Sequence, residues 1–314
     1  MKGNIMNELP IILIVGPTGS GKTDLSIKVA KTFNGECINA DSTQIFSGTD
    51  IATNKITEKE MQGVKHHLLS AIPVTGTYSV ADFQKQGRDI ISKLLSNNLV
   101  PVIVGGTGLY INGLIKKYNF PEEQKSELYN PELDKYNNQQ LWNMINEFDP
   151  IEAKKIHVNN RQRLLRANSL IFNKEFLKSE IIQNGHEPFF PNKLIIIGLN
   201  PNRANLHEAL NNRVNRLISK GLFEEIQKAY EDNNYNDAAQ ALKCIGGKEI
   251  VKYLKGEISY EQAILDMQTA NRRYARKQIT WFKHQLENVQ WFEYDLIDFD
   301  KTCQAIIKYI HNTF

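Results

Sequence analysis

The strongest constraint on this chain is the apolar run Ile11-Ile12-Leu13-Ile14-Val15, which leads directly into Gly16-Pro17-Thr18-Gly19-Ser20-Gly21-Lys22-Thr23. That octet is a complete G-x-x-x-x-G-K-[ST] loop, and its position predicts strand, phosphate loop and helix in succession. The glycines let backbone N–H groups turn inward around an anion, Lys22 adds a point positive charge, and the Thr23 hydroxyl is suited to holding Mg2+. The helix expected over 21–33 aims the positive end of its dipole at the same anion. A chain that opens this way is committed to a parallel α/β sheet, whose ligands gather at the carboxyl ends of the strands.

Further along, short apolar runs alternate with amphipathic stretches, the pattern of βαβ units. Strands are expected at 11–15, 36–40 and 101–105, with helices near 21–33, 80–98 and 108–117. Pro101 is expected to open its strand, where no ladder donor is needed. From Tyr118 to Gln140 the texture changes to Glu, Lys, Asn, Gln, Pro and Tyr with little period, which reads as a boundary or an exposed insertion. Helical patterns resume near 140–148 and 160–178, and Lys193 to Leu199 reads as another buried strand. If that strand rejoins the sheet, 118–190 form an inserted helical lobe and the core comprises 1–117 and 191–314. Beyond Pro201 the pattern is helical, with a short strand near 289–293 and a last helix near 300–312. The expected fold is therefore an α/β, P-loop NTPase-like core with a parallel sheet and an inserted helical lobe.

Composition removes several function classes. With 41% hydrophobic and 23% charged residues in 314, the chain is ordinarily globular. No apolar run approaches the roughly 20 residues of a membrane span, and the polar N-terminus lacks signal-peptide character. We therefore expect a cytoplasmic protein with no membrane partner. Cys37, Cys244 and Cys303 are far apart and lack C-x-x-C or Cys/His pairing, so neither a disulfide framework nor a zinc module is expected. The net charge of +3 decides nothing globally. Its local distribution is more informative.

Two further clusters fall on the ligand edge of the expected sheet. Asn39-Ala40-Asp41-Ser42-Thr43-Gln44 follows the second strand and carries the Asp41 carboxylate across the crevice from the phosphate loop. Asp41 is a general base or Mg2+-associated carboxylate, or else a helix cap or turn former. Gly105-Gly106-Thr107-Gly108-Leu109-Tyr110 follows the next strand. Its glycines permit close backbone approach to a ligand and leave the Thr107 hydroxyl as the side-chain donor, although a tight turn needs glycine too. Between Asp266 and Glu287 there is no acidic residue, while Arg272, Arg273, Arg276, Lys277 and Lys283 are interleaved with Tyr274, Trp281 and Phe282. On a helix, Arg272, Arg276 and Lys283 share a stripe, which suits a nucleic-acid backbone or simply a solvated face. Arg161-Gln162-Arg163-Leu164-Leu165-Arg166 is a second basic cluster, whose arginines suit RNA, a helix cap or acidic partners. Lys243-Cys244-Ile245-Gly246-Gly247-Lys248 places two lysines around a glycine pair.

Taken together these residues resemble the tRNA dimethylallyltransferase family, also called tRNA isopentenyltransferases, over about residues 11–287. The resemblance rests on the 16–23 loop, Asp41-Ser42 with Gln44, Asp50-Ile51, His66-His67-Leu68, Tyr78 to Phe83 and Gly105 to Tyr110. It continues through Asp149-Pro150, Ile156-His157, Arg161-Gln162-Arg163, Arg166-Ala167, Gly256 to Tyr260 and Arg276 to Trp281. It implies transfer of a dimethylallyl group from dimethylallyl diphosphate to N6 of the adenosine just 3′ of a tRNA anticodon. By resemblance, Asp41 takes the N6 proton and Thr107 hydrogen-bonds the departing oxygen. The loop residues Gly16, Pro17, Thr18, Gly19, Ser20, Gly21, Lys22 and Thr23 bind diphosphate, and Thr23 holds Mg2+. The acceptor base is flipped into the pocket, where Ser42, Thr43 and Gln44 read its edge beside Asp41. The anticodon stem-loop is held by Arg161, Gln162, Arg163, Leu164 and Leu165, by Lys243, Cys244, Ile245, Gly246, Gly247 and Lys248, and by Arg276, Lys277, Gln278, Ile279, Thr280, Trp281, Phe282 and Lys283. A monomer is expected.

The chain departs from the family pattern at Gly247, where an aromatic usually follows Ile-Gly, and at Ala52, Lys65 and 168–176. Three other readings share the phosphate loop. A prenyltransferase for free adenine nucleotides would need neither the helical lobe nor the basic helix. A small-molecule P-loop kinase would bring an arginine lid for ATP, and a non-catalytic RNA-binding protein would need neither Asp41 nor Thr107 at one sheet edge.

Overall fold

The computed structural model describes residues 9–120, 130–172 and 187–314. It divides into two compact units: Met1–Tyr78, Gln86–Ile111 and Pro191–Phe314 form the first, and Ser79–Lys85 with Asn112–Phe190 the second.

The first unit is built on six parallel strands: β1 (Ile11–Val15), β2 (Gly35–Asn39), β3 (His66–His67), β4 (Val100–Gly105), β5 (Leu194–Pro201) and β6 (Val289–Tyr294), in the order β3-β2-β4-β1-β5-β6. β1 and β4 are buried along their whole length, as strands covered on both faces must be, which is why they read as unbroken apolar runs. The 193–199 run does rejoin the sheet, with Leu13 opposite Ile196 and Ile14 opposite Ile197. β4 opens at Val100, one residue before Pro101. The proline is tolerated because the β1 ladder begins only at Val102, so its missing N–H falls where β1 asks for no donor. β3 is absent from the sequence expectation, since two residues cannot display a period.

Helix α1 (Lys22–Thr32) follows the loop, with Asp24 in its first turn and Lys31 in its last, both favourable to its dipole. Its Leu25 and Val29 pack on Ile12, Ile14, Val102 and Ile197. The chain then runs through α2 (Glu58–Met61), α3 (Val80–Ser96), α4 (Gly108–Ile115), α5 (Asn138–Phe148), α6 (Pro150–Ala153) and α7 (Arg161–Phe172). After β5 come α8 (Arg203–Ile218), α9 (Leu222–Asp232), α10 (Gly247–Leu254), α11 (Tyr260–Gln285) and α12 (Phe299–Thr313). Cys303, Ile306 and Ile310 of α12 join the sheet core.

The second unit has its own core of Leu133, Leu141, Ile145, Ala153, Ile156, Leu164 and Ala167. Asn137 caps α5 in a reciprocal box with Gln140, and Asp149 caps α6 with Pro150 at its first position. Buried Asn168 donates to the carbonyls of Leu141 and Leu164, each at 2.9 Å. The helix expected over 160–178 is described as far as Phe172; its remainder lies outside the described residues.

Candidate active site

At the carboxyl edge of the first unit's sheet lies a cavity of about 840 Å3, walled by the phosphate loop, the segments after β2 and β4, and residues of α8 and α11. The loop needs glycine for two separate reasons. Gly19 and Gly21 have φ of +79° and +76°, in the left-handed region, and a Cβ on Gly21 would fall 2.4 Å from the Phe299 ring. α1 then begins at Lys22, whose Nζ donates to the Pro17 carbonyl at 2.8 Å. Burial pushes the Lys22 amine down to about 8; nearby Asp41 opposes the shift and nearby Arg213 adds to it. Thr23 is exposed in the cavity.

Asp41 sits two residues past β2. Its Oδ1 accepts from the Thr43 N–H at 3.0 Å and the Thr43 hydroxyl at 2.8 Å, a local turn that fixes the carboxylate. Oδ2 has no hydrogen-bond partner among the described residues, so one oxygen orients the group while the other stays available to accept a proton. The Thr107 amide donates to the Ala40 carbonyl at 3.1 Å, and its Oγ1 accepts the Ser42 N–H at 3.0 Å. The turns after β2 and β4 are thereby knitted together. Tyr274 of α11 lines the cavity, and burial, with nearby Asp41 adding to the shift, pushes its phenol up, so it stays protonated. Gln278 is itself buried, between Thr18 and Gly106.

Sequence reasoning passed over Arg213. This residue of α8 donates from Nη1 to Thr18 Oγ1 at 2.7 Å and from Nη2 to the Thr53 carbonyl at 3.5 Å, while its buried Nε has no hydrogen-bond partner among the described residues. Burial lowers its pKa, with Asp41 acting the other way. The available signal was a charge on the edge of an apolar stripe, since Leu210, Val214 and Leu217 of the same helix are buried. Arg216, Lys220 and Lys243 line the cavity with Lys22 and Arg213, against Asp24, Asp41 and Glu60. The balance favours an anion.

The family model for IPP transferase matches residues 44–285. The chain belongs to that family. It is 36% identical to the tRNA dimethylallyltransferase of Anoxybacillus flavithermus, over 97% of both chains. With that of Staphylococcus epidermidis it shares 40% identity over 90% of this chain and 86% of the relative. Among solved structures, it is similar to the full-length tRNA isopentenylpyrophosphate transferase of Bacillus halodurans at 37% identity and a TM-score of 0.72, covering 96% of each chain. A eukaryotic dimethylallyltransferase acting on tRNA matches at 25% identity and a TM-score of 0.81, with 97% of this chain and 79% of that one covered. These neighbours carry the P-loop NTPase-like fold, in agreement with the sheet described above.

Within this IPP transferase the remaining sequence candidates separate by face. Ser42, Thr43, Gln44, Lys243, Cys244, Ile245 and Gln278 line the same cavity as the loop. On α11, Arg276, Lys277, Thr280 and Lys283 are exposed, and Lys283 lies 5.6 Å from the Trp291 ring centroid. Arg272 is less free than its stripe implies, because it donates to Asn211 at 2.5 Å and Thr269 at 3.0 Å. Phe282 is buried, Ile279 and Trp281 are half-buried, and Leu164 belongs to the second unit's core. Side chains of Phe282 and Leu164 thus pack inside the protein, which corrects their inclusion among surface contacts. Gly246 and Gly247 lead into α10, and a Cβ on Gly247 would fall 2.3 Å from the Leu242 carbonyl oxygen. An aromatic there would require the backbone at 242 to move, so the departure at Gly247 matches its surroundings. In the second unit Gln162 and Arg163 are exposed and Leu165 half-buried, while Arg161 is engaged with Tyr136, Asn138 and Asp134.

Proposed function

We propose that this enzyme transfers a dimethylallyl group from dimethylallyl diphosphate to N6 of the adenosine immediately 3′ of a tRNA anticodon, releasing diphosphate. The observation that carries this reading is one crevice holding a phosphate loop with two partly desolvated cations, Lys22 and Arg213, and a carboxylate with one oxygen held and the other open. In the reaction the N6–carbon bond forms, the carbon–oxygen bond to diphosphate breaks, and the N6 proton passes to Asp41 Oδ2. Lys22, Arg213, the loop amides and the Thr107 hydroxyl stabilise the charge that accumulates on the leaving oxygens. Ser42, Thr43 and Gln44 then lie on the acceptor side, where a flipped base presents its edge.

Mg2+ fits the donors present. Thr23 and the substrate's phosphate oxygens form an all-oxygen set of the kind Mg2+ takes while keeping several waters. Among the described residues no group of three or more His, Cys, Asp or Glu is arranged for a metal, so the ion would rest on Thr23 and the diphosphate. When bound it supplies charge neutralisation at the leaving group.

The exposed cations Arg273, Arg276 and Lys277 on α11 and Arg163 on α7 support a grip on the phosphates of the anticodon stem-loop. We assign that duty to the lobe at 118–190 together with α11. A monomer in the cytoplasm is the form we infer. The buried free thiols of Cys37, Cys244 and Cys303 support the location, since they suit a reducing compartment. No helix among the described residues is long and apolar enough to cross a membrane.

The test is to incubate the protein with labelled dimethylallyl diphosphate and, in separate reactions, tRNA, AMP and ATP. Label entering tRNA alone is the expected result. Label entering AMP or ATP would assign the crevice to a nucleotide prenyltransferase, and phosphate transfer from ATP would assign it to a kinase.

A further inference from the structure

We infer that Gln278 is a positioning residue, whose carboxamide ties the phosphate loop to the turn carrying Thr107 and so sets the distance between leaving group and acceptor. The inference rests on the function proposed above for this crevice. Oε1 of Gln278 accepts the Thr18 N–H at 2.8 Å, and Nε2 donates to the Gly106 carbonyl at 3.1 Å. The residue is only 5% exposed, so losing either bond would strand a buried polar group. The approach is close enough that a Cβ on Gly106 would fall 2.1 Å from Nε2. Tyr274, one helical turn earlier, lines the same cavity. Thr18, Gln278 and Gly106 form one hydrogen-bonded chain across the crevice, and Gly106 adjoins Thr107.

This is a different duty from that of its sequence neighbours. Arg276 and Lys277 are exposed while Gln278 faces inward with Asn271 and Ala275. For the carboxamide to reach RNA, both of its bonds would have to break.

The leaving group is held by the loop after β1 and by Thr107 after β4, and the Thr107 turn is bonded through Ala40 and Ser42 to the acceptor residues after β2. Displacement at the allylic carbon needs the amine and the departing oxygen on opposite sides of one atom, and misplacement by about 1 Å costs about 10²-fold in rate. Gln278 joins the two sides from a third element, α11, outside the sheet.

The test is Gln278→Met, which keeps length and volume but makes neither bond. At saturating tRNA and dimethylallyl diphosphate the single-turnover rate should fall by about 10²-fold, with tRNA affinity unchanged. In a Thr107→Ala background the same substitution should cost much less, because the turn it places no longer carries the hydroxyl; a general loosening would cost the same in both backgrounds. Weakened tRNA binding with an unchanged saturated rate would overturn the assignment, and so would full additivity. A second measurement needs no variant or substrate: the Thr18 amide of the wild-type protein should exchange slowly with solvent deuterium. Rapid exchange would refute the clamp, whereas wild-type protein that moved no prenyl group into tRNA would instead refute the proposed function.

Discussion

Arg213 and Arg161 carry the same guanidinium and are used in opposite ways. Arg161 is satisfied within the second unit: Nη1 donates to the Tyr136 carbonyl at 2.9 Å and Asn138 Oδ1 at 3.2 Å, and Nη2 to the Asp134 carbonyl at 3.1 Å. It staples the segment before α5 to the start of α7. Arg213 spends one bond on the phosphate loop and keeps a buried Nε that has no partner among the described residues, beside an open cavity. Buried donors are normally satisfied, so capacity left over at a crevice points to a ligand, and capacity fully used points to scaffolding. By that measure the sheet edge is the reactive region, and Arg161 is a brace.

Substitution should separate the two regions by orders of magnitude. Asp41→Ala should lower the single-turnover rate by about 10² to 10⁴ with tRNA still bound, the range for a lost general base; a normal rate at saturation would remove Asp41 from the mechanism. Next come Arg213→Ala, Lys22→Ala and Thr107→Ala, each expected to cost about 10² to 10³, as for loss of one preorganised donor. Arg161→Ala is the contrasting case. Its saturated rate should be unchanged while chemical denaturation registers a loss of about 1 kcal/mol, and an Arg161→Ala rate as low as that of Arg213→Ala would break the comparison.

Smaller effects sharpen the same division. Removing Arg276 and Lys277 together should flatten the dependence of log tRNA affinity on log salt by about 0.7 to 0.9 per lost phosphate contact. Inorganic diphosphate should bind that variant as it binds wild type, and an unchanged salt slope would make the pair a solvated face. The smallest effect is on stability. Lys22 has a folded pKa near 8, below its unfolded value, so below pH 8 the buried charge destabilises the fold. That cost is relieved as pH rises from 8 toward the unfolded pKa, because there the unfolded state binds more protons. Lys22→Met should therefore be more stable than wild type at pH 7, by a margin that narrows above pH 8. A margin that widened would contradict the burial of a charged Lys22.

The sheet and the loop could be read from the chain because their signals are local. Ile11 to Val15, Val102 to Val104 and Leu194 to Leu199 are unbroken apolar runs, and the 16–23 loop carries its glycines where φ turns positive. Asp41 could be located for the same reason, by its distance from a strand end. Arg213 could not, because its burial is created by packing α8 against a loop far away in sequence. α11 misled in a specific way. Its inward stripe runs Ala263, Met267, Asn271, Ala275, Gln278 and Phe282, and two of those residues are polar. A stripe interrupted by Asn and Gln does not announce itself as buried, so Gln278 and Phe282 were grouped with the exposed cations beside them. β3 is too short to leave any pattern.

The central claim is that the Asp41 crevice prenylates tRNA, and the most direct measurement is made on the product. Total tRNA from host cells lacking the protein, and from the same cells given back the wild-type or the Asp41→Ala chain, should be digested and analysed by mass spectrometry with the modified position mapped. The account predicts a dimethylallyl group on N6 of the adenosine 3′ to the anticodon, present with the wild-type chain and absent or strongly reduced with Asp41→Ala. The same adduct at wild-type level with Asp41→Ala, or no difference between cells with and without the wild-type protein, would contradict it.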